Sequence, residues 1–173
     1  MESGYNIFLG ATTNQVWNAV IRIGGQKGYY FADFLWKLRG EMDRLYGGIG
    51  LRRGRRHPTE LRPGDALDFF RVLDVNAPSL LRLVVEMKLP GEALLEFRIN
   101  GFKEDITELQ MLTRYVPRGL LGLAYWYIVY PFHRYVFKGM LERIADSVKK
   151  PVLKGPGHFS PKRPYVCHVK QTS

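Results

Sequence analysis

Four arginines, Arg52, Arg53, Arg55 and Arg56, sit in five positions among the glycines Gly47, Gly48, Gly50 and Gly54. Guanidinium groups hold phosphates and carboxylates with two parallel donors, and glycines let backbone N–H groups approach an anion or form a tight turn. The cluster therefore suits an anionic ligand or the phosphates of a membrane surface. It suits a structural role equally well, because arginine is the preferred partner of half-buried carboxylates, here Asp65, Asp68, Glu86 and Glu96. Those carboxylates are themselves candidates. A pair of them inside a cavity would serve as acid and base if burial raised one pKa, but the nearby arginines favour pairing. A third set joins aromatic rings to a few polar groups: Trp36, Arg39, Phe70, Tyr115, Tyr125, Trp126, Tyr130 and His133. That is the composition of a ligand pocket, and ordinary core packing is the competing reading for each member.

Other chemistries find no support. His57, His133, His158 and His168 have no metal-ligand spacing, and Cys167-His168 is an isolated adjacent pair, so no metal is expected. There is no nucleophile elbow and no phosphate loop, and the glycines at 47–50 follow a helical pattern rather than a strand, so no cofactor is expected. The net charge of +10 favours anionic lipid, nucleic acid or acidic partners. No nucleic-acid motif accompanies the arginines, so no specific nucleic acid is expected. The single cysteine rules out an intrachain disulfide and fits a reducing compartment. No Lys or Arg precedes Arg22, and Ile7-Phe8-Leu9 is too short for a secretory signal. The longest apolar run, Gly119 to Phe132, has 14 residues, short of the ~18 that suggest a spanning helix. It reads as a buried helix entry, with an interfacial segment as the alternative. The expected location is the cytoplasm, with attachment to the membrane surface as the variant.

The elements that must position these residues follow from periodicity. Residues 5–9 suit a first strand. Thr12, Thr13 or Asn14 would cap a helix running to about Ile23, with Val16, Trp17, Val20 and Ile21 on one face. In a second helix, from about 30 to 45, Phe31, Phe34, Leu35, Leu38, Met42 and Leu45 form an apolar face. From 80 to 88 and from 93 to 102 the period becomes two: Leu81, Leu83, Val85 and Met87, then Leu95, Phe97 and Ile99, alternate with polar residues. Residues 66–75 and 106–116 are further strands, joined by turns into an antiparallel meander. A long helical segment over 119–149, bent or interrupted near Pro131, repeats Phe132, Val136, Met140, Ile144 and Val148 every four residues. Residues 151–173 are basic and proline-rich and read as a flexible tail outside a domain of residues 1–150. The order predicts an α+β fold in which a curved antiparallel sheet wraps a long C-terminal helix, with two short helices after the first strand.

That layout resembles the helix-grip fold of the START and Bet v 1 (SRPBCC) superfamily, which usually holds an apolar cavity between sheet and helix. More closely, the chain resembles an uncharacterised bacterial domain family within it, found alone or fused behind NmrA-like NAD(P)-binding domains. The matching pieces are RIGG (22–25), GYYFADFLWKLRGEMDRLYGGIGLRRGRRHP (28–58), LRPGDALDFFRV (61–72), EMKLPGEALLEF (86–97) and PRGLLGLAYWYIVYPFH (117–133). Members often carry Trp where this chain has Phe70. The resemblance implies the fold and imports no catalytic residue. The expected function is binding of a hydrophobic or amphipathic small molecule, in service of an NAD(P)-dependent reductase. One alternative is a cyclase- or isomerase-like enzyme using Asp68, Glu86 or His133 in the same cavity. Another is a peripheral membrane or protein-interaction module using the basic cluster and residues 120–132.

Overall fold

A computed structural model describes residues 1–24, 28, 30, 31, 33–45, 47, 48 and 54–160, excluding the side chains at 33, 35–37, 39 and 42. Strand β1 (Glu2–Leu9) is followed by helices α1 (Thr13–Val20) and α2 (Asp33–Leu45), then by β2 (Ala66–Leu67), β3 (Phe70–Asn76), β4 (Leu80–Val85), β5 (Gly91–Lys103) and β6 (Ile106–Pro117). Helix α3 (Gly119–Val148) and strand β7 (Val152–Phe159) complete the chain. The strands form one antiparallel sheet in the order β2-β3-β4-β5-β6-β1-β7. With α3 packed on one face, this is the helix-grip arrangement.

Register turns the alternation into two unlike faces. Leu83 stands opposite Leu95, and Leu95 opposite Thr113; Leu81 stands opposite Phe97, and Phe97 opposite Met111. These residues look inward. Arg82 stands opposite Glu96 on the outer face, where Arg71 pairs with Glu86 and Arg114 with Glu2. Helix α3 covers the apolar face with Val136, Met140 and Ile144, which are buried in one cluster with Ile7, Leu81, Phe97 and Met111. Helix α1 starts with a capping box: the Thr12 hydroxyl accepts from the Gln15 N–H, and the Gln15 side chain accepts from the Thr12 N–H.

Four features depart from the sequence reading. Helix α3 runs without interruption through Pro131. Pro131 and Tyr127 lie on the solvent side, where a carbonyl that loses its helical donor can be hydrated. Phe132 is mostly exposed, unlike Val136, Met140 and Ile144 in the same series. Of the apolar face expected of α2, Phe34, Leu38 and Leu45 meet solvent and Phe31 packs against the core, while the side chains of Leu35 and Met42 lie outside the described residues. What anchors α2 instead is Asp43, a buried carboxylate that accepts the Lys88 backbone N–H at 2.8 Å.

The fourth departure is the start of the supposed tail. Residues 152–159 form β7 along β1, with Gly4 opposite Phe159 and Leu9 opposite Val152. The prolines are tolerated because β7 is an edge strand, where a missing N–H leaves no inner ladder incomplete. Residues 161–173 lie outside the described residues. Removing β7 would open one edge of β1, which stays paired with β6 on the other, and an open strand edge is a template for association. A chain ending at Lys150 is therefore expected to melt well below the full chain and to aggregate on warming. Scanning calorimetry with light scattering checks this; coincident melts would mean that β7 adds nothing to the fold.

Candidate functional site

Between the inner face of the sheet and α3 lies a cavity of about 440 Å³. The sheet supplies Phe70, Val85, Leu95 and Thr113, the β4–β5 connection supplies Met87 and Leu89, and α3 supplies residues from Tyr125 to Phe137. Leu38 of α2 closes one side. Strand alternation builds the sheet wall, since every second residue of β4, β5 and β6 points inward. The helix wall is aromatic at its centre. Trp126 stacks on Tyr115 with centroids 5.5 Å apart and planes 8° from parallel. His133 meets Trp126 edge-on at 5.8 Å and leans on Phe137 at 4.9 Å.

Two hydroxyl groups of the wall are already engaged. The Tyr115 hydroxyl donates to the Pro90 carbonyl at 2.9 Å, and the Thr113 hydroxyl to the Ser3 carbonyl at 3.3 Å. Arg114 lies between Thr113 and Tyr115 on the lining strand, but its side chain belongs to the outer face, where Nε donates to Glu2 at 2.6 Å. No carboxylate stands among the described lining residues.

Of the eight residues expected at a pocket, the cavity brings together Phe70, Tyr115, Tyr125, Trp126 and His133. Tyr130 is not on the wall; its ring packs behind, 5.7 Å from Trp126. The side chains of Trp36 and Arg39 lie outside the described residues. Reading the sequence for rings missed the aliphatic wall, such as Val85, Leu95 and Val129, because aliphatic residues mark any core and carry no signal of a void.

Among the described residues, Arg56 and Asp65 make one of the pairings expected between these arginines and carboxylates. Arg56 grips Asp65 with two parallel bonds of 2.9 and 3.1 Å. This contact, with the Arg62 backbone N–H, holds the Asp65 carboxyl below the usual carboxylate range. Arg55 donates to backbone carbonyls, to Ile23 at 2.9 Å and to His57. Burial pulls its guanidinium pKa down while Asp65 and Asp68 oppose that shift. Arg52 and Arg53 lie outside the described residues. Glu86 and Glu96 take other partners: Glu86 accepts from Arg71 at 2.6 Å, and Glu96 sits between Arg82 and Arg98. The reason is register, which places these residues across the outer face of the sheet. Asp68 is buried in the turn between β2 and β3, in the left-handed conformation (φ 54°) that a short acidic side chain tolerates. Gly24 lies against this turn with φ 80°, and a Cβ there would come within 2.8 Å of Leu67. Thus Asp68, Glu86 and Glu96 all lie off the cavity wall.

Among solved structures, the chain is similar in fold to an HSP90 activator from Plasmodium falciparum, at TM-score 0.52 and 11% identity, covering 88% of this chain and 99% of that one. It is similar to norcoclaurine synthase from Thalictrum flavum in complex with dopamine and hydroxybenzaldehyde, at TM-score 0.52 and 12% identity, covering 86% of each chain. A third similar structure is the di-domain ARO/CYC BexL from the BE-7585A biosynthetic pathway, at TM-score 0.50 and 13% identity, covering 86% of this chain and 46% of that one. At such identities the likeness is one of fold alone. No curated protein matches the sequence. The family model described as "Protein of unknown function (DUF2867)" matches residues 4–140, so the chain belongs to that family.

Proposed function

We propose that the protein binds one hydrophobic or amphipathic small molecule in the cavity between sheet and α3. The chemistry of the wall carries this reading: about 440 Å³ enclosed by aliphatic and aromatic side chains, with no carboxylate among the described lining residues. Small-molecule sites run from about 300 to 1,000 Å³ and are mostly apolar, with few polar groups to fix orientation. Acid–base chemistry has little support. Of Asp68, Glu86 and His133, His133 alone is among the described lining residues, so no carboxylate joins it on that wall. The resemblance to domains fused behind NAD(P)-binding modules extends the proposal: the cavity presents its ligand to a reductase partner.

Ala93 lines the cavity on β5, opposite Tyr115. Phenylalanine there would fill part of the void without adding a polar group. Titration of the full chain with a fluorescent fatty acid should show saturable binding, weakened at least about tenfold in Ala93→Phe, the cost of displacing one or two apolar groups of ligand. Equal binding by a folded Ala93→Phe variant would place the ligand elsewhere.

A further inference from the structure

The solvent-facing stripe of α3 changes character halfway along. Leu120, Leu121, Tyr127, Ile128, Phe132 and Tyr135 follow three- and four-residue spacing and are all exposed, Leu120 at 84%, Leu121 at 79% and Tyr127 at 69%. Further along, the exposed positions are Lys138, Glu142, Arg143 and Asp146. The apolar part is about 22 Å long at ~1.5 Å per residue. A helix whose outer face is apolar over four turns, on a chain with a charged remainder, marks an interaction surface.

Two observations point to the partner. The first is charge. Arg118 precedes the stripe, Arg134 and Lys138 border its other end, and no acidic residue occurs from Gly119 to Leu141. The whole chain carries +10. A second copy docked by a two-fold axis would offer Arg134 and Lys138 no acid from this stretch, and Glu92, beside Arg118, already accepts from Arg118 at 2.7 Å. An anionic lipid surface complements the same cations, while tyrosines and leucines enter the headgroup boundary. The second observation is continuity with the cavity. Ile128 and Phe132 belong to the exposed stripe and also line the cavity, as does half-exposed Leu38 of α2. One turn before Leu38, Phe34 is 73% exposed. The mouth of the cavity therefore opens within the apolar face.

We infer that the outer face of α3 from Leu120 to Tyr135, with Phe34 and Leu38 of α2, docks on an anionic lipid surface and turns the cavity mouth towards the acyl chains. No helix among the described residues is long and apolar enough to cross a membrane, so the contact is a lateral one. The direction of ligand passage rests on the binding function proposed above; the docking itself does not.

The test is co-sedimentation of the full chain with phosphatidylcholine vesicles, with and without phosphatidylserine. Binding should require phosphatidylserine and fade at high salt. The double variant Leu120→Asp, Leu121→Asp lies outside the cavity wall and on the surface, so its melting temperature and fatty-acid titration should match the parent. Its vesicle affinity should fall at least about tenfold. Arg134→Gln and Lys138→Gln should each cost about fivefold. The proposal is overturned if the parent chain ignores phosphatidylserine vesicles, or if the Leu120/Leu121 variant binds them as the parent does. It is also overturned if the parent is a dimer in solution that this variant converts to monomer without any vesicle binding. Vesicle binding with a flat fatty-acid titration would instead sink the ligand-binding reading and leave the docking face standing.

Discussion

Met140→Asp is expected to unfold the protein at ordinary temperature. Met140 has no exposed surface, and it lies in the middle of α3 among Ile7, Phe97, Leu109 and Met111. Two losses add. The methionine side chain withdraws its dispersion contacts and buried apolar area, and truncation of this kind alone costs about 2–5 kcal/mol. The new carboxylate has no cation within the cluster, so it must ionise at high cost or stay protonated with an unmet hydrogen bond, a further ~1–3 kcal/mol. Small domains have only about 5–15 kcal/mol in hand. Loss of the cooperative thermal transition, or its displacement by more than ten degrees, is the expected result on differential scanning calorimetry. A melt within a few degrees of the parent would remove α3 from the core and with it one wall of the cavity.

Glu96→Ala carries the second large effect. Glu96 is 4% exposed although it lies on the outer face of the sheet. The side chains of Arg82 and Arg98 flank it, Arg82 donating from Nε at 2.6 Å, and Arg82 also reaches Asp74 at 3.5 Å. Two half-buried cations share this one carboxylate. Removing it takes from both cations the carboxylate they share, while Arg82 keeps Asp74 at 3.5 Å. Breaking a buried pair in this way costs about 3–5 kcal/mol, and the partial exposure of both guanidinium groups brings the expected value to the lower end, about 2–3 kcal/mol. Urea denaturation should show a lowered midpoint with an unchanged slope. The double variant Glu96→Leu, Arg82→Leu should recover part of the loss, since apolar residues opposite each other on adjacent strands attract. A midpoint equal to the parent's in Glu96→Ala would mean that the outer ion-pair row is decorative.

These two residues also mark what could and could not be read from the sequence. Met140 was legible because its neighbours at every fourth position, Val136 and Ile144, define one helix face. The same series carried Phe132 too far, because periodicity says which side of a helix faces inward and not where the sheet beneath it ends. Glu96 was legible as a carboxylate in need of an arginine, but its partners are set by register. Four arginines lie together between 52 and 56, yet Arg82 and Arg98 reach Glu96 because β4 and β5 place them beside it. Likewise Pro151, Gly155, Pro156 and Gly157 look like a linker when counted, whereas an edge strand tolerates all of them. Asp43 gave no signal: the approach of the Lys88 N–H, which makes its burial favourable, is set by the fold. The aromatic part of the cavity wall was visible as a composition, and its volume was not, because a void is a property of the fit between sheet and helix.

A ligand held in the cavity is what the proposed function requires. Native mass spectrometry of the full chain purified from cells without detergent measures this. The chain alone has a mass of 20.0 kDa. The expected spectrum shows one additional non-covalent mass per chain, released on collisional activation as an apolar molecule and absent or strongly reduced in Ala93→Phe. A parent chain found only at its bare mass, and still bare after incubation with fatty acids and aromatic probes, would contradict the proposed function.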